Sequence, residues 1–131
     1  MPPDRRGDRQ AALRVALENE GLDGLLVTYL PNIRYLTGFT GSAALLLVQP
    51  RESTLITDFR YAVQAPDEAG SVARVEIDQK SVWDRLGRVL AAAPVGTLGI
   101  ESQALTVRDA ERVAGLTRAR LMPVADLVER L

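Results

Sequence analysis

The chain has no cysteine and no histidine among its 131 residues. Without cysteine no disulfide framework can form, and a reducing compartment is the simple expectation. Without either residue there can be no Zn site with nitrogen or sulfur side-chain ligands. A Ser-His or Cys-His nucleophile system is excluded as well. An excess of one charge is also missing: 16 basic residues face 17 acidic ones, and neither sign forms a long block. A nucleic-acid partner is therefore not expected. The longest apolar run, residues 43–48, is far short of a membrane span. Met1-Pro2-Pro3-Asp4-Arg5-Arg6 has no apolar stretch behind it and does not read as a secretory leader. Together these absences predict a cytoplasmic protein that does not engage a membrane.

What is present is ordinary globular usage, 47 % hydrophobic and 25 % charged, in a length that fits one domain. A chain of this size buries about two-thirds of its unfolded surface and needs no staple. Leu13, Ala16, Leu17 and Glu20 mark a first helix over residues 8–20, and Gly21 follows where a C-terminus favours positive φ. Residues 24–29 form a nearly continuous apolar run, which suits a strand buried on both faces. Pro31 is expected to end that strand, and residues 32–36 to form one helical turn. Residues 44–49 and 54–57 read as a hairpin around Pro50-Arg51-Glu52-Ser53.

Asp58 is placed to cap a short helix that carries Tyr61, Ala62 and Ala65 and is limited by Pro66. Residues 72–77 alternate as a strand, with Ala73, Val75 and Ile77 on its apolar face. Ser81 caps a helix reaching residue 93, along the stripe Val82, Leu86, Val89 and Ala93. Residues 97–101 and 120–123 read as short strands. Thr106 caps the helix between them, with Val107, Ala110, Val113 and Ala114 inward. Residues 124–131 open a final helix with Leu127, Val128 and Leu131 on one side. Alternating strands and helices with one hairpin predict a three-layer α/β domain, its mixed sheet of about five to six strands flanked by helices.

Two segments stand out from this scaffold. Residues 37–42, Thr-Gly-Phe-Thr-Gly-Ser, form a loop whose glycines permit unusual backbone angles or the close approach of a partner. Its spacing fits neither the Walker nor the dinucleotide fingerprint, and a strand rather than a helix follows. The loop reads either as a structural turn or as a surface that meets a substrate or another subunit. In Asp58-Phe59-Arg60-Tyr61 the structural reading is a cap, an ion pair and a packed ring. The functional one is a guanidinium that takes a ligand carboxylate. The carboxylate pairs Asp67/Glu68 and Glu76/Asp78 read as solvated surface, and Trp83 as part of a core-facing stripe.

The order of these features resembles the N-terminal domain of the creatinase/prolidase/aminopeptidase P family. Tyr35-Leu36-Thr37-Gly38-Phe39 and the trio Asp58, Arg60 and Tyr61 carry the likeness. Ala125-Asp126-Leu127-Val128-Glu129-Arg130-Leu131 is similar to the helix that leads into that family's catalytic domain. The resemblance implies that residues 1–131 are a creatinase/prolidase N-terminal domain and that the catalytic pita-bread domain is absent from this chain. It implies no catalytic residue and no metal ligand here, with a divalent metal (Mn, Co or Zn) only in the catalytic domain. It implies a homodimer of the full protein that acts on proline-containing peptides, an Xaa-Pro dipeptidase or aminopeptidase. The substrate-side or interface residues would be Tyr35, Thr37, Gly38, Phe39, Gly41, Ser42, Arg60 and Tyr61. Where the family often has glycine this chain has Phe59, which disfavours positive φ, so helical geometry is expected there. The alternative is a stand-alone binding or assembly module without catalytic activity.

Overall fold

The computed structural model describes residues 3–131; Met1 and Pro2, the start of the segment read as lacking a leader, lie outside the described residues. The elements are α1 (Arg6–Asn19), β1 (Gly24–Val27), α2 (Leu30–Thr37), β2 (Ala44–Val48) and β3 (Ser53–Asp58). A 3-10 turn (Phe59–Tyr61) leads to α3 (Gln64–Ala69), β4 (Arg74–Asp78) and α4 (Val82–Ala92). β5 (Thr97–Glu101), α5 (Val107–Leu116) and β6 (Arg120–Val124) complete the chain.

One six-stranded sheet runs in the order β4-β3-β2-β1-β5-β6. β2 is antiparallel to both β1 and β3, and the remaining pairs are parallel. The register Leu25↔Val48 and Leu26↔Leu47 sends alternate side chains to opposite faces. Leu25, Val27, Leu46 and Leu55 join Leu13, Leu17, Ile33 and Leu36 on one face. Leu26, Leu47, Ile56 and Leu98 join Leu86, Leu90 and Val113 on the other. This is the expected three-layer α/β domain. Every residue of β1 and β2 is buried, because these central strands are covered on both sides. Each fully buried leucine contributes roughly 1.5–3 kcal/mol, so the two apolar faces dominate the stability.

Local signals acted where a side chain could reach a nearby amide. Gly21 takes φ 71° after α1, and the Oγ atoms of Ser81 and Thr106 accept from the amides of Asp84 and Asp109. Several expectations are corrected. Pro31 does not end β1: the strand stops at Val27, and Pro31 lies in the first turn of α2, where a missing N–H costs nothing. Pro66 likewise sits in the first turn of α3 instead of limiting it, and the helix after Asp58 is split in two. Thr37 belongs to α2 and not to the loop. Val107 is 76 % exposed, and Ala114 is exposed too.

The final helix over residues 124–131 does not form. Val124 pairs with Glu101 in the sheet, and Asp126 adopts φ 60°, outside right-handed helical geometry. Leu127 and Val128 are nonetheless buried in the first core, whereas Leu131 is exposed.

Candidate functional site

The predicted loop lies at the end of the sheet where β1 and β3 finish and β2 begins. α2 crosses this end because β1 cannot continue. The amides of Thr28 and Tyr29 turn to Glu101 Oε1 at 2.6 and 3.0 Å, and Asn32 Nδ2 donates to Oε2 at 2.8 Å. Glu101 is only 3 % exposed, so this one carboxylate ties β5 to the start of α2.

From α2 the chain passes through Gly38 at φ 81°, whose amide closes onto the Arg34 carbonyl as a left-handed cap. Arg6 Nη1 donates to the carbonyls of Thr37 and Glu68, pinning α1 across this turn. Thr37 Oγ1 donates to the Ile33 carbonyl and accepts from the Phe39 amide. Phe39 is buried and meets the Tyr61 ring edge-on at 5.3 Å. Gly41 lies against both rings: a Cβ there would strike Phe39 and stand 2.9 Å from Tyr61. Ser42 closes the clasp, its amide donating to Tyr61 Oη at 3.0 Å and its Oγ lying 2.7 Å from the same oxygen. These bonds to Ser42 hold the Tyr61 hydroxyl below its ordinary pKa.

A second clasp was not foreseen. Glu68 accepts from the amide and hydroxyl of Thr40, and from Gln64 Nε2. The Thr40 amide bond is the main reason its carboxyl lies below the usual glutamate value. Asp78 also departs from the solvated reading. It is buried, accepts from the amides of Ser81 and Lys80, pairs with Arg85, and is pulled down to about 2. Thr40 reaches Glu68 only through the fold, whereas the amides that Asp78 holds are two and three residues away in the chain.

Asp58 caps the 3-10 turn and grips Arg60 through two bonds, at 2.9 and 2.7 Å. The Arg60 guanidinium holds the Asp58 carboxyl below its ordinary value and lies 5.2 Å from the centre of the Tyr61 ring. Phe59 and Val63 project beyond this frame, 61 % and 85 % exposed. Behind Ser42 lies a crevice of about 250 Å³, walled by Leu30, Leu45, Trp83, Leu105 and Asp109.

The structure thus divides the predicted residues. Gly38, Gly41, Ser42, Arg60 and Tyr61 belong to one rigid assembly, and buried Thr37 and Phe39 support it from inside. Tyr35 points elsewhere: the Arg9 guanidinium stacks 4.0 Å from its ring centre, beside the segment ending at Leu131. Among the described residues no three or more Asp and Glu side chains converge in a way that could hold a metal ion. Nor is any helix among them long and apolar enough to cross a membrane.

This sheet order and loop assembly place the chain among known proteins. It belongs to the creatinase/prolidase N-terminal domain family, whose model matches residues 9–131. It is 36 % identical over 112 residues to the uncharacterized peptidase YqhT of Bacillus subtilis, covering 85 % of this chain and 31 % of that protein. The N-terminal domain of the cytoplasmic peptidase PepQ from Mycobacterium tuberculosis superposes with a TM-score of 0.87 at 35 % identity, over 95 % of this chain and 98 % of that one. The Xaa-Pro dipeptidase from Bacillus anthracis does so with a TM-score of 0.90 at 28 % identity, over 95 % of this chain and 35 % of that one. The chain therefore spans about a third of the length of YqhT and of that dipeptidase.

Proposed function

We propose that this chain is the non-catalytic N-terminal domain of a proline-specific metallopeptidase, an Xaa-Pro dipeptidase or aminopeptidase, and that it acts in the cytoplasm. Its work is to hold two subunits together and to shape the substrate site of the full enzyme. The divalent metal belongs on this reading to the catalytic domain, which alone carries the hydrolytic step. The observation that carries the proposal is the clasped assembly of Gly41, Ser42, Arg60 and Tyr61. Two hydrogen-bonded clasps and a bidentate ion pair rigidify an exposed polar loop at the edge of the core. Such ordering suits a surface that must meet a partner or substrate in one geometry.

The test is a chimera in which residues 1–131 replace the matching domain of the Bacillus anthracis Xaa-Pro dipeptidase. Cleavage of Xaa-Pro dipeptides and molecular mass are measured with and without the domain. The chimera should dimerise and cleave, and Arg60→Ala should raise KM several-fold. Equal mass, substrate range and rate in the presence and absence of the domain would overturn the proposal.

A further inference from the structure

We propose that the cavity between α1, the turn joining β2 to β3 and the segment after α3 binds a small phosphate, held by Arg14 and Arg51. The cavity lies where β3 and β4 begin, at the opposite end of the sheet from the Ser42–Tyr61 clasp. It therefore goes beyond the proposed function and does not depend on it. Its volume of about 510 Å³ leaves room for a phosphate and a small group esterified to it.

Arg14 carries the inference. Its guanidinium is half-buried, and both of its hydrogen-bond partners are neutral. Nε donates to the Gln49 carbonyl at 2.8 Å and Nη2 to Ser53 Oγ at 2.9 Å. No carboxylate pairs with it among the described residues. Burial alone pulls it below its ordinary pKa, as happens when a cation leaves water without meeting an opposite charge. The group is nonetheless fixed. Ser53 Oγ donates to Gln10 Oε1 at 2.6 Å, and Gln10 Nε2 donates to the carbonyls of Leu36 and Val72. Gln10 and Ser53 are both buried. This network holds an unneutralised cation at the cavity wall and leaves its Nη1 without a partner among the described residues. A bound phosphate would supply the missing charge through short, charge-assisted hydrogen bonds.

The rest of the lining suits the same ligand. Arg51 is exposed, lines the cavity and makes no ion pair among the described residues. Ser71 Oγ accepts from Arg6 Nη2 at 3.3 Å and keeps its own proton to donate. Arg74 also lines the cavity, but it pairs with Glu76 at 3.7 Å, so it adds charge and not a ligand. Glu52 is the one acidic residue of the lining, against three arginines. Two guanidinium groups without carboxylate partners fit a dianion better than a single carboxylate. The patch is confined and the chain's net charge is −1, so a small phosphate fits it and a nucleic-acid backbone does not.

Calorimetric titration of the 131-residue chain with inorganic phosphate tests the site, at constant ionic strength and about pH 7.5, where phosphate is largely a dianion. One saturable site with Kd on the order of 0.5 mM is expected, and about 10 mM phosphate should raise Tm by about 5 °C. Arg51→Gln, at an exposed position that leaves the fold intact, should weaken binding about tenfold, and Arg74→Gln no more than about twofold. Arg14→Lys keeps the charge but loses the planar fork, and should also weaken binding about tenfold. Its Tm without phosphate records separately the loss of the Gln49 and Ser53 bonds. Glycerol 3-phosphate distinguishes the sources: tighter binding than inorganic phosphate assigns the site to a phosphate monoester, and equal binding to free phosphate. Three results would each overturn the site. One is no saturable binding up to about 20 mM phosphate, some forty times the expected Kd. Another is acetate binding as tightly as phosphate. The third is a loss as large in Arg74→Gln as in Arg51→Gln, which would reduce the effect to general charge. None of them bears on the peptidase reading, which the chimera tests.

Discussion

Replacing Gly41 with alanine tests whether the loop is a packed assembly or a tolerant connection. Gly41 is not at positive φ, so backbone strain is not the cost. The cost is the position of the new methyl group, which would overlap the Phe39 ring and stand 2.9 Å from Tyr61. Phe39 is 2 % exposed and cannot swing into solvent. An added methyl in such packing costs about 1–3 kcal/mol, which for a chain of this length lowers Tm by about 3–10 °C. Thermal unfolding followed by circular dichroism measures it. In a Phe39→Leu background the main collision is gone, so the same substitution should cost less than about 1 kcal/mol, a coupling beyond the ~0.5 kcal/mol scatter of independent sites. Gly38 supplies the control. There φ is 81°, so asparagine should be tolerated better than alanine, whereas at Gly41 the larger asparagine should be the worse of the two. Equal stability of the Gly41→Ala protein, or strict additivity with Phe39→Leu, would refute the packing argument.

Three further outcomes follow from the same geometry. Glu101→Ala should destabilise by roughly 3 kcal/mol in urea unfolding, because the amides of Thr28 and Tyr29 lose their charged acceptor; a loss below about 1 kcal/mol would show that water replaces it. The folded-state pKa values of Glu68 and Asp78 are both lowered, so their stabilisation is complete above the ordinary carboxylate range and is lost as pH falls through the folded values, about 2 for Asp78. Glu68→Gln and Asp78→Asn should therefore flatten the acid limb of stability measured between neutral pH and that value, and an unaltered limb would exclude these groups as its cause. Asp126→Val should cost about 1–2 kcal/mol because a β-branched residue resists φ 60°, with Asp126→Gly neutral or stabilising in the same melting assay.

Most of the scaffold could be read along the chain because its causes are local. Leu25-Leu26-Val27 and residues 44–48 are uninterrupted apolar runs, which only a strand covered on both faces accommodates. Gly21, Ser81 and Thr106 each act within three or four residues of their own position, so their capping roles were visible without the fold. The errors arose where two structures share one pattern. Leu127, Val128 and Leu131 have helical spacing, but the first two are buried through contacts with the sheet's helical layer, after β6 has consumed Val124. Pro31 and Pro66 were read as stops, although the first turn of a helix accepts proline equally well.

The site was legible in part. Gly38, Gly41, Ser42, Arg60 and Tyr61 stood out as polar, glycine-punctuated and aromatic residues between apolar strands. That Tyr35 would face Arg9 instead was not visible, because α1 and α2 meet only in the folded chain. Gln10 is a similar case: buried, it donates to the carbonyls of Leu36 and Val72 and accepts from Ser53. In a helix sequence it reads as surface.

The sequence by itself determined the layer architecture, the capped helix ends and the family, since these rest on periodicity, local hydrogen bonding and the order of short motifs. Tertiary structure decided what the distinctive residues do. Strand pairing, parallel between β1 and β5 and antiparallel between β2 and β3, brings Glu101 to the start of α2, Glu68 to Thr40 and Ser42 to Tyr61, partners 19 to 73 residues apart. Only that convergence turns a glycine-rich loop into a rigid surface, because each hydrogen bond needs two groups that the linear chain keeps apart.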